Sequence, residues 1–525
     1  MTTDPKLYHW ISPGKGPLNL YQAQASRSID TAAATFYQTP SFELMKRAGQ
    51  AAFACLSTRW PQAEVITLVC GTGNNGGDGF VVARLAARAF DQVQVILVGS
   101  KSQITKDAAK ALKQLESTPV KLTCLAPDDR QLLRHISGTC THLWVDALFG
   151  SGLNRTLTPA YTAIIDQLNQ HPAPVFSLDL PSGIHPDTGA VLGNAVKAAV
   201  TLSFITLKPG QFRDTGKAHC GQLGLAQLAV ENCLMENYPS TATRLHFKAN
   251  ALPSLHPNAH KGTQGTLVCI GGNQGMGGAI LLAAQAALHL GVGKIHVATQ
   301  GAHQTALLAR QPELMWLDPE DTRQLKAKLE QATAVVIGPG LGQDAWAQAL
   351  LNALRELSIP IIADADALNL MAKRSKPAFR FNTSTLVITP HLGEARRLVD
   401  RYCAGLETAA PFQIAQTLAD KLNAFTILKG AGTLISEPNQ ATQFICDAGN
   451  PGMAKAGMGD VLAGAIAGLI AQPRLPPHQA IKLGTWLHST AADQIAAQEG
   501  IYNLLPSKLP EAMGRLLHNV CQTTA

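Results

Sequence analysis

The sequence predicts an α/β protein of two domains, each built on a mostly parallel β-sheet. Short apolar runs alternate with helical stretches along most of the chain. Polar or glycine-rich segments directly follow those runs, as they do where the strands of a parallel sheet end beside a ligand. The length of 525 residues exceeds what one ordinary hydrophobic core supports, so we expect two domains.

Composition and charge exclude several classes of protein. Apolar residues make up 46% and charged residues 15%, which is typical of a globular protein. The net charge of +7 comes without a basic run, which favours anionic small ligands over nucleic acid. The 10 cysteines are scattered, which argues against a zinc site or a disulfide scaffold and indicates a reducing compartment. No apolar run approaches roughly 18 residues, so we predict a cytoplasmic protein without a signal segment or membrane span.

The first half of the chain begins with a helix predicted over residues 40–58, with Ser41 as its N-cap. Apolar runs that read as strands then alternate with helical segments. These runs are Val65 to Cys70, Val93 to Val98, Leu143 to Val145, Val175 to Leu178 and Val200 to Phe204. Polar turns follow three of them, at residues 71–79, 146–156 and 179–189.

The turn GTGNNGGDG at 71–79 contains the spacing of a dinucleotide-binding fingerprint. The next strand ends in Gly99, Ser100 and Lys101, without an acid for a ribose diol, which disfavours an ordinary NAD-dependent redox domain. The turn is more polar than a phosphate clamp requires. Its side chains Asn74, Asn75 and Asp78 can offer oxygens to a cation or hydrogen bonds to an amide, or they can simply stabilise the turn.

Asp146 and Asp179 each come after an apolar strand and before a glycine-rich turn. Two carboxylates on adjacent strand ends can hold a cation or move a proton, although either can instead cap the next helix. Arg155, between Asn154 and Thr156, fits a phosphate contact or a surface salt bridge.

Residues 228–258 lose the strand–helix alternation, and we place the domain boundary there: a first domain at 1–230, a linker at 231–245 and a second domain at 246–525. In the second domain, strands end within 334–342, 360–369, 385–398 and 425–433. No residue-level repeat relates the halves, which indicates a fusion rather than a duplication.

The stretch Gly449 to Gly468 reads as a glycine-rich loop that runs into a buried helix, with Asp460 at the junction. The free N–H groups and the dipole of a helix N-terminus attract phosphate, and Gly457 and Gly459 allow close approach. An acid at this place is a candidate for proton transfer, and the alternative is that Asp460 only caps the helix.

Other turns of the second half offer further candidates. Lys429, beside Gly430 and Gly432, suits a diphosphate, whereas a solvated lysine is the alternative. His391 can hydrogen-bond a ligand or be structural. The glycines at 272–278 can accept a phosphate or simply turn the chain, and the turn at 338–342 bends the backbone close to a ligand in the cleft. Asp364 and Asp366 can cap the following helix or contact a ligand cation. No P-loop is present, so a nucleotide site must be of another type.

These motifs resemble a known enzyme family over nearly the whole chain. The second half resembles the ribokinase-like ADP/ATP-dependent NAD(P)H-hydrate dehydratases in its ordered motifs GPGLG, DADALN, TPHLGEA, LKGAGT and GNPGMAKAGMGD. The first half is similar to NAD(P)H-hydrate epimerase domains in the motifs PSFELMKRAG, NNGGDG, VDALFGSGL and DLPSG. The resemblance implies two three-layer α/β domains, Rossmann-like in the N-terminal half and ribokinase-like in the C-terminal half.

The resemblance also implies a repair activity. The first domain would interconvert the R and S epimers of hydrated NADH or NADPH, and the second would dehydrate the S form with ADP, giving NAD(P)H, AMP and phosphate. It implies a bound K⁺, a Mg²⁺ ion with the nucleotide, no nucleic-acid partner and, as we expect, a homo-oligomer.

Site residues carry over position by position. In the first domain the hydrate site would comprise Asn74, Asn75, Gly76, Gly77 and Asp78, the phosphate-binding turn Gly150, Ser151, Gly152, Leu153, Asn154, Arg155 and Thr156, and Asp179 as acid/base. Asn75, Asp146 and Ser182 would bind K⁺. In the second domain the hydrate contacts would be Ala279, Gly340, His391 and Asp460, with Asp460 as base. The adenine nucleotide would contact Lys429, Gly430, Ala431, Gly432, Thr433 and Gly459.

One departure and two alternatives remain. Lys455 and Ala456 stand where the family resemblance leads us to expect small residues such as Ser and Gly. A ribokinase-like turn is also compatible with a small-molecule hydroxyl kinase, and the first domain with a non-catalytic nucleotide-binding module.

Overall fold

The chain folds into two compact units. The first unit comprises Met1–Lys15 and Asn19–Ala242, and the second comprises Gly16–Leu18 and Thr243–Ala525. The division between residues 242 and 243 lies inside the segment that the sequence predicts as the linker. This computed structural model describes residues 7–11, 18–104, 106–138, 140–231, 235–248, 252, 255–373, 379–403, 406 and 409–521.

Within the described residues, the first half contains ten strands and the helices between them. The strands are β1 (His9–Trp10), β2 (Leu18–Leu20), β3 (Val65–Cys70), β4 (Gln92–Val98), β5 (Lys121–Leu125), β6 (Leu143–Ala147), β7 (Val175–Leu178), β8 (Val200–Phe204), β9 (Gln222–Ala226) and β10 (Ala242–Arg244). The helices are α1 (Ala23–Phe36), α2 (Ser41–Arg59), α3 (Asn74–Ala86), α4 (Lys106–Leu115), α5 (Arg130–Ser137), α6 (Pro159–Gln170) and α7 (Asp214–His219).

Two expectations about these elements are wrong in detail. Pro40, not Ser41, is the N-cap of α2, and the Ser41 hydroxyl hydrogen-bonds the Asp107 carboxylate instead. The predicted polar turn at 71–79 is shorter than expected, because helix α3 already begins at Asn74. The side chains of residues 74–78 therefore project from the first turn of a helix.

The first sheet has the strand order β1-β9-β8-β7-β6-β3-β4-β5, and all its pairs are parallel except β1 with β9. After β3 the chain builds β4 and β5 on one side and then returns to build β6 to β9 on the other. The turns after β3 and β6 therefore open a crevice at the carboxyl edge, where ligands bind in such sheets. Gly71 N donates to Ala147 O at 3.0 Å and joins the two turns.

Both faces of this sheet are buried, so the unit has three layers. Leu68 and Cys70 of β3 point into a core shared with α2, α3 and α4, whereas Val69 points into a second core with α5 and α6. The alternation follows from the two-residue period of a strand. The predicted α/β class is confirmed for this unit.

The second half contains nine further strands and ten further helices within the described residues. The strands are β11 (Thr266–Ile270), β12 (Lys294–Ala298), β13 (Met315–Leu317), β14 (Ala334–Ile337), β15 (Ile361–Ala363), β16 (Leu386–Ile388), β17 (Ala424–Leu428), β18 (Thr433–Ser436) and β19 (Gln443–Cys446). The helices are α8 (Gly277–His289), α9 (Gln304–Arg310), α10 (Thr322–Glu330), α11 (Ala345–Ala353), α12 (Asp366–Lys373), α13 (Leu392–Tyr402), α14 (Pro411–Leu422), α15 (Met458–Ala471), α16 (Pro477–Glu499) and α17 (Leu509–Val520).

The second sheet is parallel from β13 to β17 and antiparallel from β17 to β19, in the order β13-β12-β11-β14-β15-β16-β17-β18-β19-β10-β2. Its direction of winding reverses between β11 and β14, so the turns after these two strands form a second crevice. The predicted α/β class is confirmed here too.

Helix α15 is almost wholly buried, as its apolar sequence predicts. It packs closely on α8, because a Cβ added at Gly464 would lie only 2.0 Å from the Ala283 carbonyl oxygen. This contact fixes where the N-terminus of α15 lies relative to α8. Among the helices that the structure describes, none combines the length and apolarity needed to span a bilayer.

Candidate active sites

A cleft of about 1150 Å³ lies at the reversal point of the first sheet. Its walls come from α1, α2, the first turn of α3 and the turns after β3, β6, β7 and β8. It brings together most of the residues predicted for the first site, namely Asn74, Asn75, Asp78, Gly150, Ser151, Gly152, Leu153, Asn154, Arg155 and Asp179.

Two predicted contact residues lie behind the wall of this cleft. A Cβ at Gly76 would be 1.9 Å from the Gly71 carbonyl oxygen, and a Cβ at Gly77 would be 2.6 Å from the Met45 methyl carbon. Their sequence pattern therefore reflects the close packing of α3 against β3 and α2. Thr156, also predicted, is not part of the cleft lining.

Asn75 presents an amide that the protein itself does not satisfy. Both its Oδ1 and its Nδ2 are buried and have no hydrogen-bond partner among the residues that the structure describes. A Cβ at Gly150 would lie 3.2 Å from the Asn75 Cγ and 3.0 Å from the Asp179 Oδ2, so this turn passes close to both side chains. A buried amide without partners is costly, and a ligand that supplies them accounts for it.

Asp179 is held in one position by a buried ion pair. Its Oδ1 accepts from Lys208 Nζ at 2.5 Å and its Oδ2 accepts from Ser151 N at 2.9 Å. Its backbone is left-handed, with φ of 62°, which is uncommon for a residue other than glycine. Burial acts to raise the pKa of Asp179, but the charge and hydrogen bond of Lys208 outweigh it and hold the pKa below its ordinary value.

Lys208 is a site residue that the sequence analysis missed. Its side chain is only 1% exposed, and its ammonium group also donates to Ser203 Oγ at 3.1 Å and Thr206 O at 3.0 Å. Lys208 lies in the turn after β8, which ends at Phe204, so a search of the whole turn and not only of its first residue would have selected it.

Asp146 lies inside β6 rather than after it, which corrects the predicted position. Its Oδ2 accepts from Ser177 Oγ and Ser182 N, both at 2.9 Å, and its Oδ1 accepts from Ser182 Oγ at 2.6 Å and Leu148 N at 3.2 Å. These bonds join two of the predicted K⁺ ligands, Asp146 and Ser182. Burial raises the pKa of Asp146, and no described Lys, Arg or His forms an ion pair with it.

Two further carboxyl groups face the same cleft. Burial, together with the charges of Asp179 and Asp30, raises the pKa of Asp78 well above its ordinary value. Burial also raises the pKa of Asp30 to about 6, although Lys208 opposes the shift. Asp30 belongs to α1 and was not selected from the sequence, because an acid on a polar helix carries no local signal.

In the second unit, Asp460 lies in the first turn of α15, which begins at Met458 after the N-cap Gly457. The side chain is half-buried and does not cap the helix, so the structural alternative raised by the sequence is disfavoured. Burial and the neighbouring Asp364 raise the pKa of Asp460 to about 6, against the opposing charge of Lys429.

Lys429 and Asp364 form an ion pair directly beside this turn. The Lys429 Nζ lies 2.7 Å from the Asp364 Oδ1, and Asp364 is 1% exposed. A Cβ added at Gly459 would lie 3.2 Å from the Lys429 Nζ, so a glycine leaves the lysine room at the helix N-terminus. Burial acts to lower the pKa of Lys429, but Asp364 and Glu394 outweigh it and raise that pKa.

His391 is the N-cap of α13, which supports the structural role considered for it. Its Nδ1 accepts from Gly393 N at 3.0 Å, and the Glu394 Oε2 accepts from His391 N at 2.8 Å. Its side chain is nevertheless 55% exposed. Because Lys429 N donates to Pro390 O at 2.9 Å, the end of β16 lies beside Lys429 and brings His391 close to it.

Gly340 and Ala279 meet at the second reversal point. Asn273 N donates to Gly340 O at 2.7 Å, and a Cβ at Gly340 would lie 3.1 Å from the Ala279 Cβ. Gly340 has φ of 59°, which glycine adopts without strain. Asp366 accepts from Gly342 N at 2.9 Å and so holds this turn, whereas Asp364 pairs with Lys429.

The predicted nucleotide turn joins the antiparallel strands β17 and β18. Its residues Gly430 and Ala431 are exposed, and Thr433 Oγ1 donates to Gly430 O at 3.1 Å. Lys455 does not contribute to this turn. Its Nζ donates to Tyr502 O at 2.7 Å and Leu504 O at 2.8 Å, so Lys455 secures the segment after α16.

Comparison with known proteins matches both halves to family models. The model described as NAD(P)H-hydrate dehydratase matches residues 267–515, and the model described as YjeF-related protein N-terminus matches residues 41–210. A solved structure of the ADP/ATP-dependent NAD(P)H-hydrate dehydratase from Bacillus subtilis, co-crystallised with ATP and Mg²⁺, is 28% identical, covers 51% of this chain and 95% of that chain, and has a TM-score of 0.45.

Two curated relatives align over almost their whole length. The bifunctional NAD(P)H-hydrate repair enzyme of Coxiella burnetii is 41% identical over 492 residues, which cover 93% of this chain and 97% of that protein. The enzyme of the same name from Escherichia coli is 37% identical and covers 97% of this chain and 95% of that protein. The resemblance seen in the motifs is thereby confirmed: this chain belongs to the family of bifunctional NAD(P)H-hydrate repair enzymes.

Proposed function

We propose that the chain repairs hydrated NADH and NADPH by two reactions, one in each unit. The first unit interconverts the R and S epimers, and the second dehydrates the S form with ADP, giving NAD(P)H, AMP and phosphate. The observation that carries the proposal is the position of Asp460, a carboxyl group of raised pKa in the first turn of a buried helix, beside the Lys429–Asp364 pair.

In the dehydration, Asp460 acts as the general base. It removes the proton from the ring hydroxyl as that oxygen attacks the terminal phosphoryl group of the nucleotide. The N–H groups at the start of α15 and the ammonium group of Lys429 stabilise the negative charge of the phosphoryl group. AMP leaves with the electrons of the broken phosphorus–oxygen bond. Inorganic phosphate then leaves the ring with the electrons of the broken carbon–oxygen bond, assisted by the lone pair of the ring nitrogen. Loss of a proton from the adjacent ring carbon restores the dihydropyridine.

We infer that the nucleotide contacts Lys429, Gly430, Ala431, Gly432, Thr433 and Gly459, and that the hydrate contacts Ala279, Gly340 and His391. Within the described parts of the chain, no cluster of three or more His, Cys, Asp or Glu side chains is arranged to hold a metal ion. This fits a Mg²⁺ ion that binds mainly through phosphate oxygens and water, as is usual at nucleotide sites. Mg²⁺ would neutralise phosphate charge there.

In the first unit, the cleft residues Asn74, Asn75 and Asp78 would bind the hydrated ring and its carboxamide. The turn Gly150–Thr156, with Arg155, would bind the phosphates. Asp179 would contact the nicotinamide end, and its ion pair with Lys208 keeps it as a carboxylate that can accept hydrogen bonds.

A K⁺ ion fits the first unit on two observations. The oxygen of the Asn75 amide is buried without a partner, and the carboxylate of Asp146 is buried without an ion-pair partner among the described residues. Oxygen donors suit such a hard cation. Asn75, Asp146 and Ser182 would hold it, and its charge would offset that of Asp146.

The K⁺ site is tested by thermal unfolding of the full chain in KCl and in choline chloride at equal ionic strength. Because an ion that binds only the folded state stabilises it, we expect a higher midpoint in KCl. Asn75→Leu should abolish the difference. Equal midpoints for the wild type in the two salts would contradict the site.

The repair activity is tested with chemically hydrated NADH and ADP. We expect recovery of the absorbance of the dihydronicotinamide ring, together with one AMP and one phosphate for each NADH formed. A stable phosphorylated product without recovery of NADH would contradict the proposal and favour the alternative, a hydroxyl kinase. Recovery limited to the S fraction would indicate that the first unit only binds nucleotide.

A further inference from the structure

The cleft of the first unit contains an acid that neither the family motifs nor the sequence pattern selects. We propose that Asp30, on α1, is a catalytic acid of the epimerisation and donates a proton to the ring hydroxyl of the hydrated nicotinamide. The inference rests on the proposed epimerase function and adds a residue and a chemical step to it.

The geometry of Asp30 separates it from the other acid near the ring. Asp30 lines the cleft, and its Oδ1 is buried without a hydrogen-bond partner in the described part of the chain. Both oxygens of Asp179, in contrast, are already bonded, one to Lys208 and one to Ser151. Asp30 therefore has an oxygen free of protein hydrogen bonds for a substrate hydroxyl, whereas the two bonds of Asp179 hold that side chain in place as a carboxylate acceptor.

Helix α1 is fastened to three turns that form the cleft, so Asp30 is held at a fixed place. Ala23 N donates to Asp187 Oδ1 at 2.7 Å, at the start of the helix. Ser26 Oγ accepts from Thr206 Oγ1 at 2.8 Å, next to the turn that carries Lys208. Arg27 Nη1 donates to Ser151 O at 3.5 Å, a longer contact with the third turn. A catalytic group needs such support from its surroundings.

The protonation states also separate the two acids. Burial raises the pKa of Asp30, whereas Lys208 keeps that of Asp179 low. Two carboxyl groups in one cleft with pKa values shifted in opposite directions are suited to different roles, one as an acid and one as a fixed carboxylate. Among the neighbouring charges, that of Asp179 also acts to raise the pKa of Asp30, whereas those of Lys208 and Arg27 act to lower it.

The step balances without an oxidant or reductant. Asp30 gives its proton to the ring hydroxyl, the carbon–oxygen bond breaks and water leaves, while the lone pair of the ring nitrogen forms a carbon–nitrogen double bond. Asp179 and the other carboxylates of the cleft stabilise the resulting cation. A water molecule adds to the opposite face and releases a proton to solvent, from which Asp30 is reprotonated.

The test uses the full chain, ADP and a mixture of R- and S-hydrated NADH. NADH should return in two phases, a fast one from the S form already present and a slow one limited by epimerisation of the R form. After subtraction of the conversion seen without protein, Asp30→Asn should slow only the second phase, by about 10²–10⁴-fold. Asp30→Glu should restore part of the rate, because it restores the proton.

The matched control is Asp91→Asn, the same change at an exposed residue of the same unit outside the cleft, and both phases should equal those of the wild type. A slow phase that is unchanged in Asp30→Asn would overturn the proposal. So would an Asp30→Asn chain whose slow phase recovers fully at higher substrate concentration, since that indicates a binding role. A wild-type chain that recovers NADH from the S fraction alone would contradict the epimerase function itself, which is a different result.

Discussion

The two candidate sites use the same components in different arrangements. Each contains a buried carboxylate paired with a lysine at the carboxyl edge of a sheet, Asp179 with Lys208 and Asp364 with Lys429. Each also contains an unpaired acid with a raised pKa of about 6, Asp30 in the first unit and Asp460 in the second. Family resemblance selects the paired acid in the first unit but the unpaired acid in the second.

This difference indicates what each lysine does. In the second unit, Lys429 lies beside the N-terminus of α15, and the ammonium group and the helix N-terminus both attract phosphate. Lys429 can therefore exchange its contact with Asp364 for a contact with a phosphoryl group. In the first unit, Lys208 is enclosed by backbone carbonyls and Asp179, so it fixes that carboxylate in place. We therefore expect Lys429 to bind ligand and Lys208 to maintain structure.

The largest expected effect in this comparison is on the second site. Asp460→Asn removes the general base and should lower the rate of the fast dehydration phase by about 10²–10⁴-fold, measured as formation of NADH from the S form with ADP. Nucleotide binding, measured by calorimetry, should persist, because Lys429 and the helix N-terminus remain.

The dependence on pH provides the control for this prediction. Asp460 acts as a base only when ionised, so the wild-type rate should fall about tenfold per pH unit below its pKa of about 6. The residual rate of Asp460→Asn should not show this fall at acidic pH. If the rate of the variant still falls at acidic pH, the fall arises from the titration of another group, and Asp460 is not the base.

A smaller effect, on stability, is expected for the lysine of the first unit. Lys208→Met leaves the buried Asp179 without its cation and should lower the free energy of unfolding of that unit by about 3–5 kcal/mol, measured by thermal or urea unfolding of the full chain. Lys197→Met, the same change at an exposed lysine, should have no comparable effect.

Substitution of Asp179 in addition to Lys208 shows whether the loss of stability arises from charge or from packing. If the loss in Lys208→Met arises from an uncompensated charge, Asp179→Asn in the same chain should recover part of it. A double variant that is less stable than Lys208→Met alone would indicate that Lys208 acts through packing instead.

Local pattern was enough to predict the sheets and the turns that carry ligands. The strands Val175–Leu178 and Val200–Phe204 have the predicted bounds, because a continuous apolar run between turn residues is typical of a buried parallel strand. The turns after such strands then contain Asp179 and Lys429. The turn predicted at 71–79 was too long. Asn74 and Asn75 are typical turn residues, but in the structure they begin helix α3.

The pairing of charges could not be predicted in the same way. Lys208 meets Asp179 across 29 positions and Lys429 meets Asp364 across 65, and only the folded sheet brings these residues together. The sequence does not identify Asp30 as a site residue either, because its burial depends on the turns that pack over α1. The unusual pKa values in both sites arise from this tertiary arrangement and not from the residues alone.

Lys455 joins the loop before helix α15 to a distant part of the chain. Its two bonds to the carbonyls of Tyr502 and Leu504 connect the approach to helix α15 with the segment between α16 and α17. We therefore expect the position of Asp460, in the first turn of that helix, to depend in part on the segment that contains Tyr502 and Leu504. A homologue with a smaller side chain at this position needs another support for that segment, so grafting the glycine-rich motif between relatives requires transfer of both partners.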